Sequence, residues 1–484
     1  MEKYKKYRNL LTKLLKSSKM KYFQQRLIKC QGNIKTTWGT INYALNKVPK
    51  TNNVDCIEIK ENNDKILVND KNKISNMMNK YFISIGNDKK STNQNDHTLS
   101  QIINRINNNN SIYLKPITSI ELKKHICSLK SKNTCGVDEI STKVVKEIAP
   151  LIENPLLHIF NLCLTTGIFP DEMKIARVIP IHKSGDRLDL HNYRPISLLP
   201  AFSKLLEKAI NMRITDFFES YGLFYDQQHG FRKSFSTSSA LLNVTNYIKN
   251  NLNKNIYTAG VFIDLSKAFD SISHEILLKK LCNYGIRGIA HKLIKSYLEN
   301  RLQYVDLNDT KSTYLKIACG VPQGSILGPT LFLIYINDIY KYSTSKLIMY
   351  ADDVCLMYTS RYITNLVTNI NEDLIQLNNW FDYNKLTVNT NKSNYMIFHS
   401  KHNKILSNTP PIKINMQKLE MVQSSKFLGV ILDDRLTWKP HVHQICKKLS
   451  TGISYLTKVR SVFPCNILKY IYRSFVECYI TYGI

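Results

Sequence analysis

Tyr350-Ala351-Asp352-Asp353 places two adjacent carboxylates between two apolar runs, Leu347-Ile348-Met349 and Val354-Cys355-Leu356-Met357. This pattern predicts a β-hairpin with the acids at its tight turn. Two like charges held among buried apolar residues are unfavourable unless a cation lies between them. A third acid, Asp264, closes the apolar run Val261-Phe262-Ile263. Carboxylates on neighbouring strands can hold two divalent ions about 3.5–4 Å apart, and such ions serve nucleotidyl transfer by activating a 3′-hydroxyl and stabilising departing pyrophosphate. Asp264, Asp352 and the backbone carbonyl of Leu265 are the expected ligands. A second pair, Asp433-Asp434, also follows an apolar strand, Phe427 to Leu432, but runs into Arg435 and reads as a plain turn.

Gly320-Val321-Pro322-Gln323-Gly324-Ser325-Ile326-Leu327-Gly328-Pro329 is a tightly shaped loop leading into a helix. Gln323 can hydrogen-bond a sugar or a template nucleotide, and Gly324 allows close approach of the backbone to a base pair. Further upstream, Lys183 in Ile179-Pro180-Ile181-His182-Lys183-Ser184-Gly185-Asp186 and Arg194 in Asn192-Tyr193-Arg194-Pro195-Ile196-Ser197 flank a glycine-containing turn. Arg makes bidentate contacts to phosphate and Lys supplies a point charge, so both suit a nucleotide triphosphate. The plainer alternative is a pair of solvated surface cations.

The elements needed to position these groups can be read in order. Residues 1 to about 50 are helical in pattern, with ten Lys/Arg and one acid in the first thirty and a Leu10, Leu11, Leu14, Leu15 stripe. Asn-rich loops follow at Thr51 to Asn53, Asn93 to Asp96 and Asn107 to Asn110, with a helix from Ile74 to Ile85 between them. Helices are predicted over Thr118–Leu129, Ile140–Ile152, Lys204–Tyr221, Ser236–Asn251, His274–Tyr284, Ile289–Asn300, Leu327–Tyr340, His441–Val459 and Cys465–Tyr479. Strands are predicted over Ala176–His182 and Tyr257–Leu265, with a hairpin over Val305–Leu307 and Tyr314–Ala318. The order lacks the regular βα rhythm of a doubly wound parallel sheet.

Composition narrows the class. The 484 residues suffice for about two to four domains. Sixty-seven Lys+Arg against 37 Asp+Glu give a net charge of +30. That excess points to a polyanionic partner, nucleic acid before membrane. The first residues lack the apolar core of a signal peptide, and Leu331 to Ile336, the longest apolar run near the middle, is too short to span a bilayer. Eleven scattered cysteines without a Cys-x-x-Cys pair fit a reducing compartment. An intracellular location, nucleus or cytoplasm, is expected, with no membrane partner. His441, His443 and Cys446 read as part of an amphipathic helix rather than a metal cluster.

Taken together, Phe262-Ile263-Asp264-Leu265-Ser266-Lys267-Ala268-Phe269-Asp270, Val321-Pro322-Gln323-Gly324-Ser325 and Tyr350-Ala351-Asp352-Asp353 stand in the order found in reverse transcriptases. Asn192 to Ser197, Gln228-His229-Gly230-Phe231-Arg232 and Lys426-Phe427-Leu428-Gly429-Val430 narrow the resemblance to polymerases of non-LTR retrotransposons of the jockey/LINE type. It covers roughly residues 115–484.

The resemblance implies an α+β right-hand polymerase with fingers, palm and helical thumb. It divides the chain into a basic N-terminal extension (1–114), fingers and palm (115–436) and the start of a thumb (437–484). It implies that Asp264, Asp352 and Asp353 are the catalytic and metal-binding acids, with Leu265, for two Mg²⁺ ions, Mn²⁺ being an alternative. Phe269 would be the steric gate against a ribose 2′-hydroxyl, and Lys392 a proton donor to pyrophosphate. Phe427, Leu428 and Gly429 match the primer grip, and Lys447, Lys448, Lys458 and Arg460 could follow a duplex backbone. The expected partners are an RNA template, a DNA primer or target and dNTPs. Because elements of this type usually carry an endonuclease and a longer thumb, the chain reads as a fragment. The competing readings are a group II intron or retron-type enzyme and an inactive or domesticated RNA-binding copy.

Overall fold

The computed structural model describes residues 1–30, 33–47, 54–61, 64–86, 108–400 and 410–483. Thr51 to Asn53, Asn93 to Asp96 and Asn107, read as loops, lie outside these. Two compact units emerge, Asn52–Val422 and Met1–Thr51 with Gln423–Ile484. They fall differently from the three segments expected from sequence.

The larger unit is built on a five-stranded sheet in the order 346–350, 353–360, 257–263, 394–398, 420–421. Its central strand, Tyr257–Ile263, is buried along nearly its whole length, as an apolar run covered on both faces must be. It pairs antiparallel with Asp353–Ser360 and with Asn394–Phe398. Helices Ser119–Ser128, Thr142–Thr166, Ala201–Ser220, His274–Tyr284, Gly288–Leu298, Leu327–Ile336 and Ile363–Tyr383 contribute to one continuous core with this sheet. Phe160, Phe218, Tyr297, Phe332, Tyr335 and Trp380 are among its fully buried side chains.

Several helix starts follow their sequence signals. Thr118 caps Ser119–Ser128 by accepting the Glu121 N–H, and Ser236 forms a capping box with Ser239 on Thr237–Leu252. Thr142–Thr166 runs well past the predicted end at Ile152, through Pro150 and Pro155. It is the one described helix long and apolar enough to cross a membrane, and it turns Val145, Leu156, Phe160, Cys163 and Leu164 into the core.

A second sheet pairs Ala176–His182 with Tyr193–Leu198 antiparallel and with Leu302–Leu307 in parallel. Helix Lys71–Ser84 packs Ile74, Met78 and Phe82 against Val178, Val305 and Leu307. Buried Asn79 fixes the register, donating to the Thr313 carbonyl (2.8 Å) and accepting from Gln303 Nε2 (3.0 Å). This helix therefore belongs to the body of the larger unit, not to a separate extension.

The smaller unit joins both ends of the chain. Helices Glu2–Lys29 and Ile34–Ala44 share a core with Lys439–Val459 and Cys465–Tyr472 through Phe23, Ile41, Leu45, Val459, Phe463, Ile467 and Ile471. Phe23 meets Phe463 edge to face at 5.5 Å. The Leu10, Leu11, Leu14, Leu15 stripe, expected to be an apolar face, stays exposed.

Candidate active site

Asp264 follows directly on the central strand, and Asp353 opens the strand beside it. Ile263 pairs with Val354, so the next rung of that antiparallel ladder sets Asp264 opposite Asp353. Tyr350 pairs with Asp353, which leaves Ala351 and Asp352 as a two-residue turn. The predicted hairpin and its acids are thus in place.

A cavity of about 650 Å³ opens over this edge and is lined by Lys183, Arg194, Asp264, Leu265, Phe269, Gln323, Gly324, Asp352, Asp353 and Lys392. Most residues singled out from sequence therefore converge, although they span more than two hundred positions. Phe231, Asp270 and Asn389 also line the cavity and were given no role from sequence. Phe427, Leu428 and Gly429 belong to the smaller unit, where Leu428 and Gly429 make the turn between Ser424–Phe427 and Val430–Asp433.

The backbone of Asp264 is held on both sides. Its N–H donates to Ser393 Oγ (3.1 Å) and its carbonyl accepts the Asn389 N–H (2.8 Å). The same 389–393 turn carries Lys392 into the cavity. Leu265 is tied to Val388 by a short antiparallel bridge.

The acids act on one another. Burial, then the charge of Asp264, raises the Asp352 carboxyl above its usual range, partly opposed by Arg194 and Lys183. Asp353 faces the open cavity, yet the protein crowded around it, with Asp352 and Asp264, pushes it up to about 6. Burial, with repulsion from Arg194 and Lys392, lowers Lys183. Carboxylates and cations are therefore gathered in one cavity, close enough to act on one another.

Among the described residues, no three His, Cys, Asp or Glu side chains close around one point tightly enough to hold a metal ion. The donor set nevertheless fits a hard divalent cation. Its atoms are carboxylate and carbonyl oxygens, and a cation would offset both the burial and the acid–acid repulsion that raise Asp352 and Asp353.

Phe269 is braced rather than simply buried. Its ring stacks on Phe332 at 4.5 Å and meets Phe231 edge to face at 6.3 Å. Gln323 is already engaged, because its amide nitrogen donates to both carboxylate oxygens of Asp270 (2.9 and 2.7 Å). That leaves its amide oxygen for a ligand. Gly324 has φ +127°, and a Cβ there would stand 2.5 Å from the Ser197 carbonyl. The close approach that requires glycine is thus to strand Tyr193–Leu198. The same loop is stitched to the Phe269 turn, Val321 N–H donating to the Phe269 carbonyl (3.0 Å).

Asp433 behaves as a turn residue. Its two carboxylate oxygens accept the N–H groups of Thr437 (2.8 Å) and Trp438 (2.9 Å), ahead of helix Lys439–Val459.

Residues 181–432 match the family described as reverse transcriptase (RNA-dependent DNA polymerase). The chain is 31% identical over 389 residues to the probable RNA-directed DNA polymerase from transposon BS of Drosophila melanogaster, covering 77% of this chain and 42% of that protein. It is 29% identical over 386 residues to the RNA-directed DNA polymerase from mobile element jockey of the same organism, with the same coverage. The putative COX1/OXI3 intron 1 protein of Saccharomyces cerevisiae is 31% identical over 172 residues, covering 35% of this chain and 18% of that protein. The chain thus spans about two fifths of the length of the transposon relatives. A match over half of the chain, laid on the cavity that gathers Asp264, Asp352 and Asp353, makes this chain a member of the reverse transcriptase (RNA-dependent DNA polymerase) family.

Proposed function

We propose that this chain is the polymerase of a non-LTR retrotransposon, extending a primer 3′-end on an RNA template with dNTPs. The observation that carries the proposal is the single cavity that gathers Asp264, Asp352 and Asp353 together with Lys183, Arg194 and Phe269. Similarity to the transposon polymerases over most of the chain, against a third of it for the intron protein, supports the element type. In this reading the central sheet is the palm and the 176–198 hairpin with its neighbours the fingers. The helices from Lys439 begin the thumb.

Asp264, Asp352 and Asp353, with the Leu265 carbonyl, would hold the divalent ions, Mg²⁺ or Mn²⁺. Bound there, such ions supply Lewis acidity to the attacking and leaving oxygens. Lys183 and Arg194 bind and orient the triphosphate, Arg194 through paired N–H donors. Phe269 fills the space of a 2′-hydroxyl, and its Phe332 stack keeps the ring from yielding. The Gln323 amide oxygen is free to accept from the incoming nucleotide. Lys392, which lines the same cavity, serves as the proton donor to pyrophosphate. Lys447, Lys448, Lys458 and Arg460 provide phosphate contacts along the duplex.

Primer extension on poly(rA)·oligo(dT) with dTTP tests this directly. Incorporation that requires a divalent cation and falls sharply with UTP is the expected result. Tight binding of the template with no incorporation would overturn the enzyme reading and favour an RNA-binding role.

A further inference from the structure

The active-site turn is held in a conformation that its own residues do not favour. Ala351 has φ +56°, in the left-handed region where a Cβ crowds the backbone and glycine is the usual occupant. Its N–H points away from the hairpin and donates to Gln228 Oε1 at 3.0 Å. The same oxygen accepts the Gly230 N–H at 2.8 Å. Both partners are donors, so the amide oxygen of Gln228 must be the atom that faces them.

Gln228 is 1% exposed, and its surroundings hold it in place. Met349 donates to the Gln227 carbonyl (2.9 Å) and His229 donates to the Met349 carbonyl (2.8 Å), so 227–229 runs as a bridge along edge strand Lys346–Tyr350. His229 Nδ1 meets Ser239 Oγ at 2.7 Å, and Asn243 bridges His229 Nε2 and Gln227 Oε1 from the same helix, Thr237–Leu252. Arg232 anchors the other end on Glu219 at 2.8 Å. Gly230 has no room for a side chain, since a Cβ there would lie 2.3 Å from the Ala351 nitrogen.

We propose that Gln228 is a positioning residue of the active site. It clasps the Ala351 N–H and so fixes the turn that presents Asp352 and Asp353 to the cavity. Gly230 is the companion that lets the clasp close. The segment touches no expected substrate group through Gln228, and its whole effect passes through the turn. This rests on Asp352 and Asp353 being the working acids, as proposed above.

The test replaces Gln228 with an apolar side chain of similar length and follows catalysis and binding separately. Gln228→Met should lower kcat about a hundredfold, the scale of a small misplacement of reacting groups. Primer–template Kd should stay within about twofold of the parent. Adding Ala351→Gly should recover about tenfold of the lost kcat, because glycine adopts the turn without the clasp. The proposal is overturned if kcat of Gln228→Met stays within about threefold of the parent, if primer–template affinity falls in parallel, or if Ala351→Gly recovers nothing. If Gln228→Met does not fold, Gly230→Ala decides, with the same kcat-selective loss expected and parental kcat contradicting the clasp. Asp352→Ala runs alongside: activity there would refute the functional reading itself, whereas inactivity there with a parental Gln228→Met refutes only the clasp.

Discussion

The molecule contains two Asp-Asp pairs beside apolar strands, and they have opposite fates. Asp433 is 6% exposed and spends both carboxylate oxygens on backbone N–H groups that lead into a helix. Asp352 and Asp353 face a cavity where Asp264 adds a third negative charge, and both are pushed up first by burial and then by neighbouring acids, Asp264 in each case. A carboxylate satisfied by N–H donors stabilises a turn, whereas carboxylates gathered against each other repel, and a cation would relieve that repulsion. Their hairpin turns differ in the same way. The Phe427–Val430 turn carries positive φ on Leu428 and on Gly429, where glycine suits it. The Tyr350–Asp353 turn puts positive φ on Ala351 and borrows an acceptor from Gln228.

Substitutions can break this contrast from either side. The largest expected effect is at the upstream acid, where Asp264→Ala should cut the rate of dTTP incorporation by about three orders of magnitude or more without lowering template affinity. Next is the gate. Phe269→Val opens space beside the sugar while Phe332 remains, and the preference for dTTP over UTP should fall by about a hundredfold in kcat/KM ratios. At the cation wall, Lys183→Met should raise the KM for dTTP about tenfold, the loss of one charge-assisted contact, with kcat changed less. In the other pair, Asp433→Ala should cost about 2 kcal/mol in denaturant unfolding by leaving two N–H groups unpaired.

The smallest effect concerns pH. Burial pushes the Asp270 carboxyl up to about 6, against the pull of its Gln323 hydrogen bonds. An unfolded aspartate ionises near pH 4, so between about pH 4 and 6 the unfolded chain loses a proton that the folded chain retains. Stability is then lost as pH rises through that window and levels off above it. Asp270→Asn removes this loss while keeping a partner for Gln323. Urea unfolding at pH 4, 5, 6 and 7 should show the variant gaining on the parent up to about pH 6, and a gap independent of pH would contradict the burial of this carboxyl.

Much of the site was legible because its chemistry is local in sequence. The hairpin of Tyr350–Asp353 follows from the apolar runs on either side of its acids, and the ends of Ala176–His182 and His274–Tyr284 match their predicted spans. What escaped depends on distant partners. Gln228 and Asp270 both stood within motifs noted from sequence, but their roles arise from Ala351 and Gln323, far along the chain. The need for glycine at 324 was visible, though its cause, the Ser197 carbonyl, was not. Helix Ile363–Tyr383 buries Trp380 and Phe381 yet went unread among its many Asn residues. The pairing of the two chain ends rests on isolated aromatics such as Phe23 and Phe463, which no periodic pattern announces. The reach of Thr142–Thr166 was hidden by Pro150 and Pro155, residues that ordinarily end a helix.

The central claim is that the two Asp-Asp pairs differ in kind. Single-turnover incorporation of dTTP on poly(rA)·oligo(dT) by Asp352→Asn and Asp433→Asn, measured side by side, tests it most directly. Asp352→Asn should lose about three orders of magnitude in rate without losing unfolding free energy, while Asp433→Asn keeps a rate within a few-fold of the parent. Robust incorporation by Asp352→Asn would contradict the account.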